Sequence, residues 1–243
     1  MPLQAVESQR LYRQIAEQLR GLIAQGEFGA GSRLPAERDL ARQLGVSRPS
    51  VREALIALEV EGWVEVRVGS GIYARPQHVN GNGRVNGHGA HAAAGEWGPL
   101  ELMKARELVE GEVAALAARH ARKAQVAAMA AALEQMREDA EAGVIPRRGD
   151  EAFHIAIADA CANEVLRDTV LGYWHARGGA LFERMSGYFE NPASWSAALE
   201  EHEGVLEAVR DRDAAAARDA MHHHLQRAYK RYSASWRRAN NSS

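Results

Sequence analysis

Residues 31–74 of this chain read GSRLPAERDLARQLGVSRPSVREALIALEVEGWVEVRVGSGIYA. Pro35 suits the first turn of a helix, because the N–H that proline lacks has no intrahelical partner there, and an acidic residue two positions later complements the positive end of the helix dipole. Leu40 and Leu44 repeat at helical spacing, and Gly45 is placed to end the helix in a left-handed conformation. The pattern predicts a short helix that begins near Pro35 and ends at Leu44.

A second helix is predicted between Ser47 and Gly62. The Ser47 hydroxyl can cap its N-terminus, and Gly62 marks its end. Apolar residues repeat at the spacing of one buried stripe, namely Val51, Ala54, Leu55 and Leu58. This stripe leaves Arg48 and Arg52 on the other face, so both arginines are predicted to point away from the core.

A β-hairpin is predicted directly after the second helix. Valines alternate with charged residues over residues 64–68, as in a strand with one buried face. A glycine-rich turn over residues 69–71 then precedes Ile72 and Tyr73. Two helices, a tight turn and a hairpin in this order indicate a winged helix-turn-helix, whose second helix enters the major groove of DNA.

Charge is distributed unevenly along the chain. The formal net charge of the whole sequence is −2. Between Arg33 and Arg52, however, five arginines face only two acidic residues, and no lysine occurs before Lys104. Arginine is the side chain suited to bidentate contacts with guanine edges and phosphates. A positive DNA-binding surface is therefore predicted here, with a simple solvated charged face as the alternative.

Length and composition predict two domains. A chain of 243 residues with 46% hydrophobic content is long enough for a second globular core beyond one winged helix. Cys161 is the only cysteine, so no intrachain disulfide can form. The first residues lack the charged-then-apolar pattern of a secretory signal, and no apolar run approaches the length that spans a membrane. We therefore expect a soluble protein of the cytoplasm.

Residues 76–99 are predicted to be a flexible linker, because they contain six glycines and three asparagines and no sustained apolar period. We interpret His88 and His91 in this segment as part of a solvated spacer rather than as a metal-binding tract. The predicted organisation is a winged helix-turn-helix domain over residues 1–75, the linker, and an all-helical domain over residues 100–238. Such a tether would let the C-terminal domain alter the positions of the DNA-reading heads.

The second half is predicted to be all-helical, because its alanine-rich sequence has almost no β-alternation. We expect about six antiparallel helices whose apolar stripes face one core. Their predicted ranges are 100–121, 124–142, 149–160, 163–188 with a weak point at Gly178-Gly179, 192–210 and 213–236. The predicted fold class is thus mainly α, with an N-terminal winged helix-turn-helix and a C-terminal helical bundle.

Four polar residues are candidates for a metal site inside that bundle. Asp150 and His154 are four positions apart and so lie on one helix face. His202 and His224 fall on the inward apolar stripes of their own helices. A carboxylate and three imidazoles from three helices can converge on one divalent ion, with the remaining positions open to water or a small acid. Four ordinary buried or surface polar groups are the alternative.

Residues 31–74 closely resemble the DNA-binding domain of the GntR family of bacterial transcription regulators, through the motifs LPAERDLA, GVSRPSVREAL, EGWV and GSG. The second half resembles the ligand-binding FCD domain of the FadR subfamily, through DEAFHIAI, EHEGVLEAVRDRDAAAARDAM and HHHL. In many members of that subfamily the matching aspartate and histidines bind a metal, which implies a ligand set of Asp150, His154, His202 and His224. Zinc is the divalent ion expected first, with nickel and manganese as alternatives.

The same resemblance implies which residues contact DNA. The family's contacts fall on both predicted helices and on the wing turn, namely Arg38, Ser47, Arg48, Ser50, Arg52 and Gly69. Arg48 and Arg52 would read bases, whereas Arg38 would approach a phosphate or a groove edge. Pro49 stands where a hydrogen-bonding residue often contacts DNA, so that contact is absent or purely steric.

The effector is expected to be a small organic acid. Arg106 matches an arginine that faces the effector cavity in some relatives, where its guanidinium would pair with a carboxylate. A helix-surface ion pair with Glu110, four residues on, is the alternative. The stretch YWHARGGALFERMSGYFENPASW looks like regulators of sugar-acid catabolism, which favours a hexuronate and leaves lactate and pyruvate open. A metal suits such compact acids better than a long acyl chain.

The resemblance implies a homodimeric regulator, most often a repressor, that binds a palindromic DNA operator and responds to this acid. Two-fold symmetry of the protein would match two-fold symmetry of the operator. The competing class is a metal-dependent enzyme fused to a DNA-binding head. The sequence favours the regulator, because no second carboxylate has the spacing of a paired di-iron motif and no nucleophile–base pair lies near Asp150 or His202.

Overall fold

The computed structural model describes residues 10–76, 78–79, 85–86 and 96–234. Ten α-helices and four short β-strands lie in this part of the chain. The described residues group into two compact units, one within residues 1–98 together with 180–185, and the other within residues 99–179 together with 186–243. Within the described ranges, every helix is either too short or too polar to cross a bilayer.

The first unit contains the predicted winged helix-turn-helix. Its elements are α1 (Leu11–Ala24), α2 (Glu37–Leu44), α3 (Arg48–Val60), β1 (Val64–Arg67) and β2 (Gly71–Ala74). Gly45 ends α2 with a left-handed φ of 66°, and the Ser47 hydroxyl caps α3 by accepting the Ser50 N–H. Strands β1 and β2 pair antiparallel and form the wing. The predicted helices, turn and hairpin are therefore confirmed.

Helix α1 is an element that our sequence reasoning missed. Its buried residues Tyr12, Ile15, Leu19 and Ile23 recur three or four positions apart, which is the spacing of one apolar helix face. This face packs against α3. The periodicity was therefore visible in the sequence, upstream of the stretch on which the prediction was based.

The predicted linker falls largely outside the described residues, and so do His88 and His91. Its described part includes β3 (His78–Val79) and β4 (Val85–Asn86), which pair antiparallel. Pro99 at its end already belongs to the next helix.

Seven helices occupy the described part of the chain after the linker. They are α4 (Pro99–His120), α5 (Lys123–Glu141), α6 (Arg147–Ala160), α7 (Glu164–Arg177), α8 (Ala180–Phe189), α9 (Pro192–Arg210) and α10 (Ala214–Ser233). The predicted helix over 163–188 is two helices, because Gly178 ends α7 and Gly179 caps α8. This break raises the number of helices above the six expected.

The core of the second unit positions the candidate site. Helix α10 packs against α4 and α9, and α6 packs against α5, α4 and α7. Phe153, Ile157 and Met221 are almost completely buried in this core. The polar candidates Asp150, His154, His202 and His224 lie on the same inward faces of α6, α9 and α10, so the packing of the bundle brings them together.

Candidate functional site

The four metal-ligand candidates form one buried cluster. Asp150 and His154 come from α6, His202 from α9 and His224 from α10. One ligand atom of each lies within 4.8 Å of the corresponding atoms of the other three. All four residues are at most 4% exposed. Polar groups this deeply buried require partners, so their contacts decide what the site can hold.

Asp150 is the carboxylate of the cluster. Its Oδ1 lies 3.0 Å from His202 Nε2 and 3.6 Å from His154 Nε2, and its Oδ2 accepts a hydrogen bond of 2.9 Å from Arg177 Nη1. Burial alone would raise the pKa of Asp150, but the contacts with His202 and Arg177 hold that pKa well below its usual range. Asp150 therefore carries a negative charge inside the bundle.

The Nδ1 atoms of the three imidazoles all point to oxygen acceptors. His154 Nδ1 lies 2.5 Å from Glu110 Oε2, His202 Nδ1 lies 2.6 Å from the Ala198 carbonyl oxygen, and His224 Nδ1 lies 2.9 Å from Glu201 Oε2. Carbonyl and carboxylate oxygens only accept, so each Nδ1 must carry the proton. In the neutral rings this leaves each Nε2 with a lone pair.

Those lone pairs fit a cation. The buried His154 Nε2 has no hydrogen-bond partner. His202 Nε2 lies 3.0 Å from Asp150 Oδ1, and this contact is a hydrogen bond only while Nε2 carries a proton. An ion between these atoms would take the place of that proton, and a mixed set of imidazoles and one carboxylate is suited to zinc and similar transition metals.

The protonation states favour metal binding as well. Burial lowers the pKa of His154. Burial and the neighbouring His202 lower the pKa of His224 to about 3. Both imidazoles are therefore neutral near pH 7, which is the form that coordinates metal ions.

A small cavity of about 40 Å³ adjoins the cluster. Its lining includes Asp150 and His224 together with three arginines, Arg106, Arg177 and Arg231. Of these three arginines, the sequence indicates only Arg106 as a residue that contacts the effector. Arg177 could have been found as a cation in the arginine-bearing stretch YWHARGG, whereas no sequence signal singled out Arg231.

Arg106 forms an ion pair with Glu110, which is the alternative that the sequence leaves open for this residue. Its Nε donates to Glu110 Oε1 at 2.6 Å, and both side chains are almost fully buried. The guanidinium carbons of Arg106 and Arg177 also lie 4.5 and 4.2 Å from the ring centre of Trp174, within the range of cation–π attraction. Arg106 thus lines the cavity while its charge is paired inside the protein.

Most of the predicted DNA-contacting residues lie on exposed parts of the first unit. The side chains of Arg38 and Arg48 are 78% and 51% exposed. The Ser47 and Ser50 hydroxyl oxygens are 2.8 Å apart. Gly69 has a positive φ of 79° in the exposed wing turn, a conformation that glycine adopts without strain.

The predicted orientation of Arg52 is wrong. Its side chain is 1% exposed and donates from Nε and Nη2 to the two carboxylate oxygens of Glu37, each at 2.9 Å. Glu37 also accepts a hydrogen bond of 3.0 Å from Arg48 Nε. Helix α2 packs against α3. The Glu37 carboxylate therefore covers the face of α3 that carries Arg52, which the apolar pattern alone predicts to be exposed. Arg52 therefore links the two helices and does not face solvent.

Family models match both halves of the chain. The model described as "Bacterial regulatory proteins, gntR family" matches residues 11–74, and the FCD domain model matches residues 101–227. Together they span the winged helix-turn-helix and most of the helical bundle with its buried cluster.

Curated relatives match almost the whole chain. The "Uxu operon transcriptional regulator" of Escherichia coli K12 is 35% identical, with 91% of this chain and 86% of that protein covered. The "Exu regulon transcriptional regulator" of the same strain is 34% identical, with 92% and 85% covered. The "Putative L-lactate dehydrogenase operon regulatory protein", also from this strain, is 33% identical, with 89% and 84% covered.

These matches decide between the two functions that the sequence leaves open, a transcription regulator and a metal-dependent enzyme fused to a DNA-binding head. The protein is a DNA-binding transcription regulator with an effector-binding FCD domain, and the alternative of an enzyme fused to a DNA-binding head is wrong. With a winged helix-turn-helix matched over residues 11–74 and a transcriptional regulator that is 35% identical and covered over 86% of its length, the chain belongs to the GntR family of bacterial regulatory proteins.

Proposed function

We propose that this regulator is a homodimeric repressor that binds a palindromic operator through two winged heads. Helix-turn-helix dimers match the two-fold symmetry of the protein to that of the DNA, with half-sites about one helical turn apart. We assign residues 1–75 to the DNA-binding domain, residues 76–99 to a flexible linker and residues 100–238 to the effector domain. The spans of the two family models support this division.

The proposed DNA contacts are the members of the predicted set that are exposed or, for Ser50, half-buried. They are Arg38, Ser47, Arg48, Ser50 and Gly69. Arg48 at the N-terminus of α3 is proposed to read a base edge, and Arg38 to contact a phosphate. Arg52 is proposed to act indirectly, because it holds Glu37, which in turn contacts Arg48.

We expect Arg48→Ala to cost about 1–3 kcal/mol of discrimination at one position of the operator, if its guanidinium makes a bidentate contact with a base. Arg38→Ala should weaken binding to all sequences equally and reduce the salt dependence, because a phosphate contact carries no sequence information. Selection of binding sites from a random DNA pool, followed by titrations at fixed salt, measures both effects. An unchanged sequence preference in Arg48→Ala would exclude base reading by this residue.

We further propose that Asp150, His154, His202 and His224 bind one divalent ion, with zinc first and nickel or manganese as alternatives. The observation that carries this proposal is the buried His154 Nε2, which has no partner and belongs to a cluster of four potential ligands. The ion would supply a Lewis-acid site that orients a bound carboxylate. The chain's own residues hold the ion and shape the cavity beside it.

The effector is proposed to be a small organic acid. Three arginines and two carboxylates, Asp150 and Glu190, line the cavity. Glu110 pairs with Arg106 and Glu201 with Arg231, so a divalent ion would supply the net positive charge that attracts an acid. A space of about 40 Å³ holds only a few water molecules, which suits a compact acid better than an acyl chain. Hexuronates are the first candidates from the resemblance of residues 173–195 to regulators of sugar-acid catabolism, and the name of the relative "Putative L-lactate dehydrogenase operon regulatory protein" adds L-lactate.

Binding of the acid is proposed to release the operator. An effector needs only to favour one arrangement of the two DNA-binding heads, and the coupling is then reciprocal between acid and DNA. The test is a thermal-shift screen of glucuronate, galacturonate, lactate and pyruvate on zinc-loaded protein, followed by operator titrations at constant ionic strength. An acid that raises the melting temperature should weaken operator binding, whereas stabilisation by none of these acids would refute the proposed effector class.

A further inference from the structure

Two carboxylates outside the proposed ligand set contact His154 and His224 at Nδ1, the ring nitrogen that is not proposed to bind the metal. Glu110 of α4 lies 2.5 Å from His154 Nδ1, and Glu201 of α9 lies 2.9 Å from His224 Nδ1. The sequence indicates Glu110 only as an ion-pair partner of Arg106 and does not single out Glu201, and neither residue supplies a ligand atom to the cluster. Each is separated from its histidine by many positions in the chain, so only the packed bundle brings the pairs together.

We propose that Glu110 and Glu201 are positioning residues, which fix His154 and His224 in the Nδ1–H tautomer and thereby direct both Nε2 lone pairs at the metal. This inference rests on the proposed metal site. Partners of this kind orient an imidazole and make it a stronger ligand, and their loss generally weakens metal binding by about 10–100-fold. His202 obtains the same orientation from the Ala198 carbonyl of its own helix, so all three rings are set for coordination through Nε2.

Both carboxylates act as acceptors toward the imidazoles. Glu110 Oε1 accepts from Arg106 Nε at 2.6 Å, and Glu201 accepts from Arg231 and Arg227. A carboxylate held by guanidinium groups only accepts, so the proton of each contact must reside on Nδ1.

The two carboxylates are held in different ways. Glu110 is fixed by Arg106, and the two side chains are 2% and 3% exposed. Glu201 accepts from Arg231 Nη1 and Nη2 at 2.9 and 3.1 Å and from Arg227 Nε at 2.8 Å. The Arg227 side chain is 50% exposed. Removal of Glu110 therefore leaves a buried arginine unpaired, whereas removal of Glu201 leaves arginines that can reach water.

The test compares Glu110→Ala, Glu110→Gln, Glu201→Ala and Glu201→Gln with wild type. Glu112→Ala is the matched control, because Glu112 lies on the same helix as Glu110 and forms a half-exposed ion pair with Arg218. Zinc is removed with a chelator, and the affinity for added zinc chloride is measured by competition with a chromophoric chelator. Histidine tautomers of the metal-free proteins are read from long-range ¹⁵N–¹H spectra.

We expect both alanine variants to bind zinc about 10–100-fold more weakly and to lose the uniform Nδ1–H tautomer at the affected histidine. The glutamine variants keep an oxygen acceptor and should recover the tautomer and most of the affinity, while Glu112→Ala matches wild type. Unchanged zinc affinity and tautomer in a folded Glu201→Ala protein would overturn the proposal, even if Glu110→Ala does not fold. Failure of the wild type itself to bind zinc would instead refute the metal site.

Discussion

Substitution of His202 by alanine should abolish metal binding by this protein. His202 is fully buried, and its Nε2 lies 3.0 Å from Asp150 Oδ1 at the centre of the cluster. Without it, the site retains two imidazoles and one carboxylate, so the ion loses one of its four proposed protein ligands and should be lost during purification. Elemental analysis of the purified protein should give about one ion per chain for wild type and close to none for His202→Ala.

The same substitution should remove the stabilisation that the ion provides. A ligand that binds only the folded state at 1,000 times its Kd stabilises that state by about 4.1 kcal/mol, so zinc should raise the melting temperature of wild type and leave His202→Ala unchanged. His223→Ala is the control, because His223 is exposed on α10 beside the buried His224. Full metal content in folded His202→Ala, or equal loss in His223→Ala, would contradict the assigned ligand set.

The four proposed metal ligands could be predicted from the sequence for a physical reason. Asp150 and His154 are one helical turn apart, and His202 and His224 lie on apolar stripes, so their burial follows from helix periodicity. That the three helices meet at these residues depends on packing, but inward faces of one bundle share one core. The resemblance to the FCD domain pointed to the same four residues.

The residues that surround the proposed ligands could not be predicted from helix periodicity in the sequence. Glu110 and Arg106 form an i, i+4 pair, which a helix places equally well on its surface or in its core. Only the packing of α4 against α6 shows that this pair is buried beside His154. Arg231 likewise belongs to a helix end rich in cations, where nothing in the sequence separates a cavity-lining arginine from a solvated one.

The two arginines of α3 show the same limit in the DNA-binding unit. Arg48 and Arg52 are four positions apart, so the helix alone places them on one face. Their exposure nevertheless differs, with 51% for Arg48 and 1% for Arg52. The difference arises from Glu37 of α2, whose position depends on the turn between the helices and on how they pack, and not on any periodicity within α3.

Removal of Arg52 should therefore destabilise the DNA-binding unit more than removal of any exposed arginine in it. Arg52→Ala leaves the carboxylate of Glu37, which is 6% exposed, without its bidentate partner. Loss of one member of a buried ion pair costs about 3–5 kcal/mol when the remaining charge has no other partner. Glu37 keeps its contact with Arg48, so the loss should lie near or below the lower end of this range. Native-state hydrogen exchange of the α2 and α3 amides, followed by mass spectrometry, measures this loss locally.

Two further variants separate the ion pair from a general effect of arginine removal. Arg42→Ala removes a 75% exposed arginine that pairs with Asp39, and such surface pairs contribute at most about 1 kcal/mol. In a double-mutant cycle, the combined effect of Arg52→Ala and Glu37→Ala on stability should differ from the sum of their single effects. We expect this difference, the interaction free energy, to exceed the deviation from additivity that independent sites show. Because Glu37 also contacts Arg48, Arg52→Ala should weaken operator binding as well. Equal protection of α3 in Arg52→Ala and Arg42→Ala would show that Arg52 does not hold the two helices together.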